Sequence, residues 1–297
     1  MFVKRTMVLI AMMVIASYGW SQPADVVRLG IFTDCQYCNC PTEGKRNYAL
    51  SLSKLDSCIR EFNSQPLDGV FHLGDMIDHG YESYDSILPR FNQFRAPFNF
   101  VLGNHDYMIK SKYKSGLRDV IGMPEANYSK DFGQWTIIVL NGNDLSYFAP
   151  QTRQQRQERN DMVAGLLSGL QPNGMPWNGG IGEDQMQWLE KKLSQAQRSG
   201  RMVVVICHFP LYSKGNHNLF NNHALFAGMN KYSCVKAYFS GHFHAGYYHA
   251  MDGMHLVNFK GMVDTEENSF AVVTLTSDSI LIKGYGREPD RSLKIRK

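Results

Sequence analysis

The sequence predicts an α/β fold, and three observations predict it. Short apolar runs of β-prone residues recur along the 297 residues. Helical periodicity stands between several of them. The apolar runs also end abruptly in carboxylates, carboxamides and imidazoles. Strands alternating with helices in the first half of the chain argue for an α/β domain. The length fits one large domain or two small ones.

In order, the strand-like runs are "VVRLGIFT", "GVFHLG", "PFNFVLG", "WTIIVLNG", "RMVVVICH", "VKAYFSG", "MHLVNFKG" and "SFAVVTLT". Between the first two, Tyr48, Leu52, Leu55, Ile59 and Phe62 recur every three or four residues and make one helical face. "GEDQMQWLEKKLSQAQ" is a second helix, with acids in the first turn where the helix dipole favours them. The final third holds more strands and turns than helices, which predicts a second sheet there. The segment 141–182 is rich in Gln, Arg, Asn, Gly and Pro and includes "GLQPNGMPWNGGIG". It reads as a long loop, either functional or disordered. No internal repeat is visible.

Composition narrows the function. The net charge is +4, hydrophobic residues make up 43%, and Lys and Arg are scattered rather than run together. No nucleic-acid track is expected. The N-terminus reads as a secretory signal peptide: basic "MFVKR", the apolar "TMVLIAMMVIA", then "SYGWSQ" with Gly19 and Ser21 at the positions a peptidase reads. The apolar run falls short of the roughly 20 residues a spanning helix needs. The expected division is therefore 1–21 signal peptide and 22–297 mature domain, exported to the periplasm or the extracellular space, with no stable membrane insertion. Six cysteines remain: Cys35, Cys38, Cys40, Cys58, Cys207 and Cys234. "CQYCNC" looks like a metal knuckle but lacks a second Cys/His pair at zinc-finger spacing. Structural thiols are expected, with one local disulfide among Cys35, Cys38, Cys40 and Cys58.

Five strand-like runs deliver polar groups. "GIFTDCQY" brings Asp34 and Gln36, "FHLGDMID" brings Asp75 and Asp78, and "VLGNHDY" brings Asn104, His105 and Asp106 after Gly103, read as a sharp turn. "VVVICHFP" brings His208, and "AYFSGHFH" brings His242 and His244. Residues two apart on an extended chain face the same side. Ligands bind at the carboxyl ends of strands in open α/β sheets. Any one of these groups alone is more often a cap or turn residue. Five strand ends of this kind together are costly to bury unless a cation offsets them. Oxygen and imidazole without a needed thiolate suit Mn²⁺, with Fe, Zn²⁺ or Mg²⁺ as alternatives.

The runs "DCQ", "GDMID", "GNHD", "CHFP" and "GHFH" stand in the order of the motifs D-x-[HQ], G-D-x-x-D, G-N-H-[DE], H and G-H-x-H. By these motifs the sequence resembles the calcineurin-like metallophosphoesterases. Gln36 replaces the usual His of the first motif. "DxQ", with "WNGGIGEDQMQWLEKKL", "VNFKGMVDT" and "KGYGREPDR", is similar to the manganese-dependent ADP-ribose/CDP-alcohol diphosphatase branch. The resemblance implies a four-layer αββα sandwich with two divalent metal ions in its cleft. Asp34, Gln36 and His244 would hold one ion, Asn104, His208 and His242 the other, and Asp75 would bridge them. Water made nucleophilic at neutral pH would then attack phosphorus. His105 would face the phosphate, with Asp106 orienting it and Asp78 bracing the loop of Asp75.

The substrate class implied is small nucleoside diphosphate derivatives such as ADP-ribose and CDP-choline. Trp177, Asn178, Gly179 and Gly180 are candidates for the nucleoside end and Arg287 for phosphate, while Arg291 is expected on the surface. His72, His79, His217, His223, His249 and His255 carry no motif and are expected to be structural or solvent-facing. Two alternatives stay open: a broader phosphomonoesterase or phosphodiesterase of the same superfamily, and a metal-dependent nucleotide-binding protein without turnover.

Overall fold

A computed structural model describes residues 26–296, and the signal-peptide reading lies outside them. Twelve strands form two six-stranded mixed sheets. In chain order the strands are β1 Val27–Phe32, β2 Gly69–His72, β3 Phe98–Phe100, β4 Tyr128–Phe132, β5 Trp135–Val139 and β6 Met202–Ile206, then β7 Val235–Ser240, β8 Tyr247–Met251, β9 Met254–Asn258, β10 Ser269–Leu275, β11 Ser279–Gly286 and β12 Arg291–Lys294. The helices are α1 Ser51–Asn63, α2 Ser83–Phe91, α3 Ser111–Lys114, α4 Leu117–Val120, α5 Arg153–Ser168, α6 Glu183–Arg198 and α7 Asn222–Asn230.

The first sheet runs β12-β11-β10-β1-β2-β3 and the second β4-β5-β6-β7-β9-β8. Their inner faces meet in a shared core that includes Leu29, Ile31, Phe71, Trp135, Ile137, Val204, Phe239 and Val273. On the outer face of the first sheet, Leu55, Ile59 and Phe62 of α1 pack with Tyr84, Ile87 and Phe91 of α2. Leu189, Leu193 and Leu225, from α6 and α7, cover the second. The result is the four-layer αββα sandwich. The strands that feed the site, β1–β3 and β5–β7, pair in parallel within their sheets, so their carboxyl ends lie on one side of each sheet. Burial on both faces explains their unbroken apolar runs.

One expectation is met in part and another is corrected. The final third does supply β6–β9 of the second sheet, but its last three strands join the first, where β10 pairs antiparallel with β1. The second sheet is completed by β4 and β5 from the middle of the chain, because β6 pairs in parallel with β5 on one side and with β7 on the other. The segment 141–182 is not simply a loop, since α5 occupies sixteen residues of it. Thr152 and Gln155 form a reciprocal capping box at its start, which satisfies two otherwise free backbone donors. Only Val163 of α5 is buried, so the apolar stripe that announces a helix is missing from the sequence.

Candidate metal centre

Asp34 and Gln36 follow β1, Asp75 follows β2, Asn104 follows β3, His208 follows β6, and His242 and His244 follow β7. All seven converge where the ends of the two sheets meet. The joint is made by the groups themselves: His242 N donates to Asp34 Oδ2 (3.1 Å) and His208 Nδ1 to the Leu73 carbonyl (2.9 Å).

The second nitrogen of each imidazole is assigned by its partner. A carbonyl only accepts, so His208 carries its proton on Nδ1. Its Nε2 lies 3.2 Å from Asp75 Oδ2 and 3.3 Å from Asn104 Oδ1. His244 Nδ1 is held by Asp264 Oδ1 at 2.9 Å, and its Nε2 lies 3.3 Å from Asp34 Oδ1. His242 Nε2 meets Asn178 Oδ1 at 3.0 Å. Asn178 spends its amide hydrogens on the carbonyls of Asn173 (2.9 Å) and Asn216 (2.7 Å), so its oxygen must point at His242. That oxygen can only accept. His242 is therefore protonated on Nε2 and keeps its Nδ1 lone pair for the centre. Metal-binding histidines are commonly fixed by such a partner behind the ring.

The backbone is strained at the same places. Asp34 (φ 52°), Gln36 (φ 42°), Asp75 (φ 59°) and His242 (φ 66°) all adopt the left-handed region, which side chains other than glycine rarely enter. Such strain persists where surrounding structure over-determines it and clusters at functional sites. Gly103 has a different role from the turn expected of it. It has no positive φ, but a Cβ there would collide with the Asp75 carboxylate. Glycine is required for close approach rather than for a turn.

His105 and its neighbours also require a correction. No hydrogen bond joins the Asp106 carboxylate to His105. Asp106 is fully buried and accepts from the backbone N–H groups of Asp75 (3.0 Å), Met76 (2.8 Å) and Gly103 (2.8 Å), so it ties the β2 and β3 loops together. Asp78 holds His105 instead: Nδ1 lies 2.9 Å from its carbonyl and 3.2 Å from its Oδ1. The roles expected of the two aspartates are exchanged. Both lie within reach of the same loops, which spacing alone does not separate. Burial disfavours charge on His105, but Asp75 and Asp78 outweigh it and raise its pKa.

Gln36, Arg46, Asn104, His105, Trp177 and His217 line a cleft of about 270 Å³ over the centre, together with His242 and His244. Of "WNGG", only Trp177 faces it. Asn178, Gly179 and Gly180 are buried, and a Cβ on Gly179 would strike the Gly142 carbonyl. Asn178 therefore braces His242, while Gly179 and Gly180 pack in the wall against Gly142 and Phe220 instead of meeting ligand. Arg287 is directed elsewhere, at the carbonyls of Gly261 and Glu267. Arg291 pairs with Glu288. The cleft residues not anticipated are Arg46 and His217, and the missed brace is Asp264. Asp264 stands in the "VNFKGMVDT" segment, but only the fold shows that it reaches His244.

The donor set fits divalent cations. Asp34 Oδ1 and Gln36 Oε1 are buried without a hydrogen-bond partner, and leaving such atoms unpaired is costly. Ligand atoms of Asp75, His208 and His242 lie within 4.8 Å of one another. The field also favours positive charge: despite burial, Asp75 lifts His208 to about 9 and Asp34 lifts His244 to about 9. Oxygen and imidazole donors without thiolate are suited to manganese or another first-row ion.

Comparison with known proteins agrees with this geometry. The family model for calcineurin-like phosphoesterases matches residues 27–246. The manganese-dependent ADP-ribose/CDP-alcohol diphosphatase of Bos taurus is 28% identical, over 90% of this chain and 94% of its own length. Its counterpart in Mus musculus is 28% identical over 93% and 97%. Among solved structures, a dimetal phosphatase from Danio rerio superposes with a TM-score of 0.82 at 20% identity, covering 92% of this chain and all of that one. A purple acid phosphatase from Lupinus luteus seeds gives 0.57 at 16%, over 91% of this chain and 54% of its own.

Proposed function

We propose that this chain, which belongs to the calcineurin-like phosphoesterase family, hydrolyses the pyrophosphate bond of nucleoside diphosphate-linked small molecules, of the ADP-ribose or CDP-alcohol kind, with manganese as its metal. One observation carries the metal-dependent hydrolase reading: seven oxygen and nitrogen donors from five strand ends converge, with two buried carboxylate and carboxamide oxygens left for a cation. The diphosphate reading is supported by Gln36 and by relatives of that name, aligned over nearly their full length.

Bound there, a pair of divalent ions would supply positive charge at both the attacking and the leaving oxygen of an in-line displacement and would lower the pKa of water. The residues would divide the remaining work. Asp34, Gln36 and His244 would hold one ion, and Asn104, His208 and His242 the other. Asp75, with its two oxygens on different neighbours, would bridge them. Attack of water on phosphorus forms one P–O bond and breaks the bond to the bridging oxygen. His105, whose protonated form Asp75 and Asp78 favour, would give its Nε2 proton to that departing oxygen. Arg46, 39% exposed at the rim, would meet the second phosphate, and Trp177 with His217 would offer flat faces to the base. Release gives a nucleoside monophosphate and a phosphorylated alcohol or sugar.

We also infer that the protein acts outside the cytoplasm, from the basic and apolar N-terminus and the small residues before Gln22. Fractionation of the producing cell, with N-terminal sequencing of the protein from whichever fraction holds it, would test this. A first residue of Gln22 in the exterior fraction supports it; an intact Met1 with the protein confined to the cytoplasm overturns it.

The activity test sets ADP-ribose and CDP-choline beside a monoester and a diester, with Mn²⁺, Mg²⁺, Zn²⁺ or chelator. Mn²⁺-dependent cleavage of the diphosphates, lost in Asp75→Asn, is expected. Preference for simple esters would keep the centre and move the substrate to the broader phosphoesterase reading.

A further inference from the structure

One cluster of soft ligands is not used by the chemistry above. Cys38 and Cys40 lie on the loop after β1, and His79 arrives from the loop after β2. Their spacing in sequence gives no sign that they meet. One ligand atom from each lies within 4.8 Å of the other two. They share a surface cleft of about 380 Å³ that Glu82 also lines. Cys38 is buried, Cys40 half-buried and His79 exposed. His79 Nδ1 is held by Asp78 Oδ2 at 2.6 Å, which leaves Nε2 for an ion. A carboxylate behind a histidine is the arrangement that orients metal-binding imidazoles and raises their basicity.

We propose that, when its two thiols are reduced, this trio binds one thiophilic divalent cation of the zinc class, separate from the dinuclear centre. Two thiolates and an imidazole supply three of four tetrahedral positions, and Glu82 or water fills the fourth. Tetrahedral ligation places the two sulfurs about 3.7 Å apart for metal–sulfur bonds of about 2.3 Å. Cα atoms separated by 5.4 Å allow that by side-chain rotation. Soft thiolates select such an ion over manganese, whereas the dinuclear centre, built from oxygen and imidazole, does not.

In the structure Cys38 and Cys40 are joined as a disulfide, and the oxidised chain lacks the site. A dithiol reductant donates two electrons and two protons to the disulfide, becomes a disulfide itself, and leaves two thiols. Binding then releases the thiol protons. Asp78, which holds His79, also holds His105, so the ion would sit one carboxylate away from the reaction cleft.

The test titrates Cd²⁺ into the full chain, loaded with Mn²⁺, reduced with a phosphine and desalted, and follows the ultraviolet thiolate-to-cadmium band. A band saturating at one ion per chain is expected. It should be absent from the oxidised chain and from Cys38→Ser/Cys40→Ser, and at least tenfold weaker in affinity in His79→Ala. Circular dichroism and Mn²⁺ content show whether the variants are folded, and His79 is exposed, so its replacement spares the core. A reduced wild-type chain without the band overturns the proposal. So does an undiminished band in the folded double cysteine variant, or unchanged affinity in His79→Ala.

Discussion

His242 shows how a neighbour decides what one side chain can do. Its lone pair is available on Nδ1 because Asn178 accepts from Nε2, and Asn178 faces that way because its hydrogens are committed to two carbonyls. Asn178→Leu is expected to weaken binding at one of two manganese sites by about 10- to 100-fold. Calorimetric Mn²⁺ titration would check this, with unequal weakening of two binding steps as the signature; equal affinities in variant and wild type would count against the assignment. Asp78 acts on His105 in the same manner. Because Asp75 and Asp78 raise its pKa, His105 keeps its proton to higher pH than a free imidazole and loses it as pH rises through that raised value. Asp78→Asn removes one of the charges that raise it. The alkaline limb of kcat/KM should then move to lower pH, with a fall in kcat of about 10²-fold. A pH–rate profile with an unmoved alkaline limb would overturn that role.

At the scale of elements, the loops after strands depend on helices for their position. Lys54 of α1 is 5% exposed and donates to the Met262 carbonyl at 2.8 Å and the Asp264 carbonyl at 3.2 Å. It thereby fastens the segment whose Asp264 side chain holds His244. Burial brings its pKa down to about 8, yet the carbonyls it meets favour the ammonium as a donor. Lys54→Met should cost about 2 kcal/mol of stability and should also weaken manganese binding. Paired denaturation and metal titration would test the two together; a stability loss without any change in metal affinity would limit Lys54 to a packing role. The eight most apolar strands and helices α1 and α6 were legible from periodicity because each buries a whole face or stripe. The edge and hairpin strands β4, β8, β11 and β12 were not, because they alternate or are largely exposed. Helix α5 was hidden for a related reason: it is held by its cap and by polar contacts instead of an apolar face.

At the scale of the whole molecule, the stability of the sandwich is expected to depend on metal and on pH. His72 is fully buried beside Phe32 and Phe91, and neither ring nitrogen has a partner. Burial drives its pKa down to about 3, against the pull of Asp34 and Asp75. The unfolded chain takes up this proton near pH 6.5, the folded chain only near 3. Stability should therefore be independent of this group above about 6.5 and fall as pH drops below it, by at most about 1.4 kcal/mol per pH unit. Urea denaturation of His72→Phe between pH 7 and 4 should show a shallower decline than wild type; parallel curves would dismiss the group. Removing metal should act on the same global equilibrium. An ion present at 100 times its Kd stabilises the folded state by about 2.7 kcal/mol, so chelator should lower Tm by several degrees in the wild type and by less in Asp75→Asn.

The sequence by itself determined the αββα class and the residues that converge. Buried parallel strands must be apolar throughout, so the polar groups at their ends stand out, and the motif order carries the family. Only the tertiary structure decided which aspartate holds His105, that within "WNGG" Asn178 braces His242 while Trp177 faces the cleft, and that Arg46 and His217 enter the cleft while Arg287 turns away. It also decided that β10 returns to β1 and that His79 meets Cys38 and Cys40. These choices depend on contacts between loops distant in the chain. Residue type and spacing set what a group can donate or accept, but its partner depends on where packing of the two sheets leaves it.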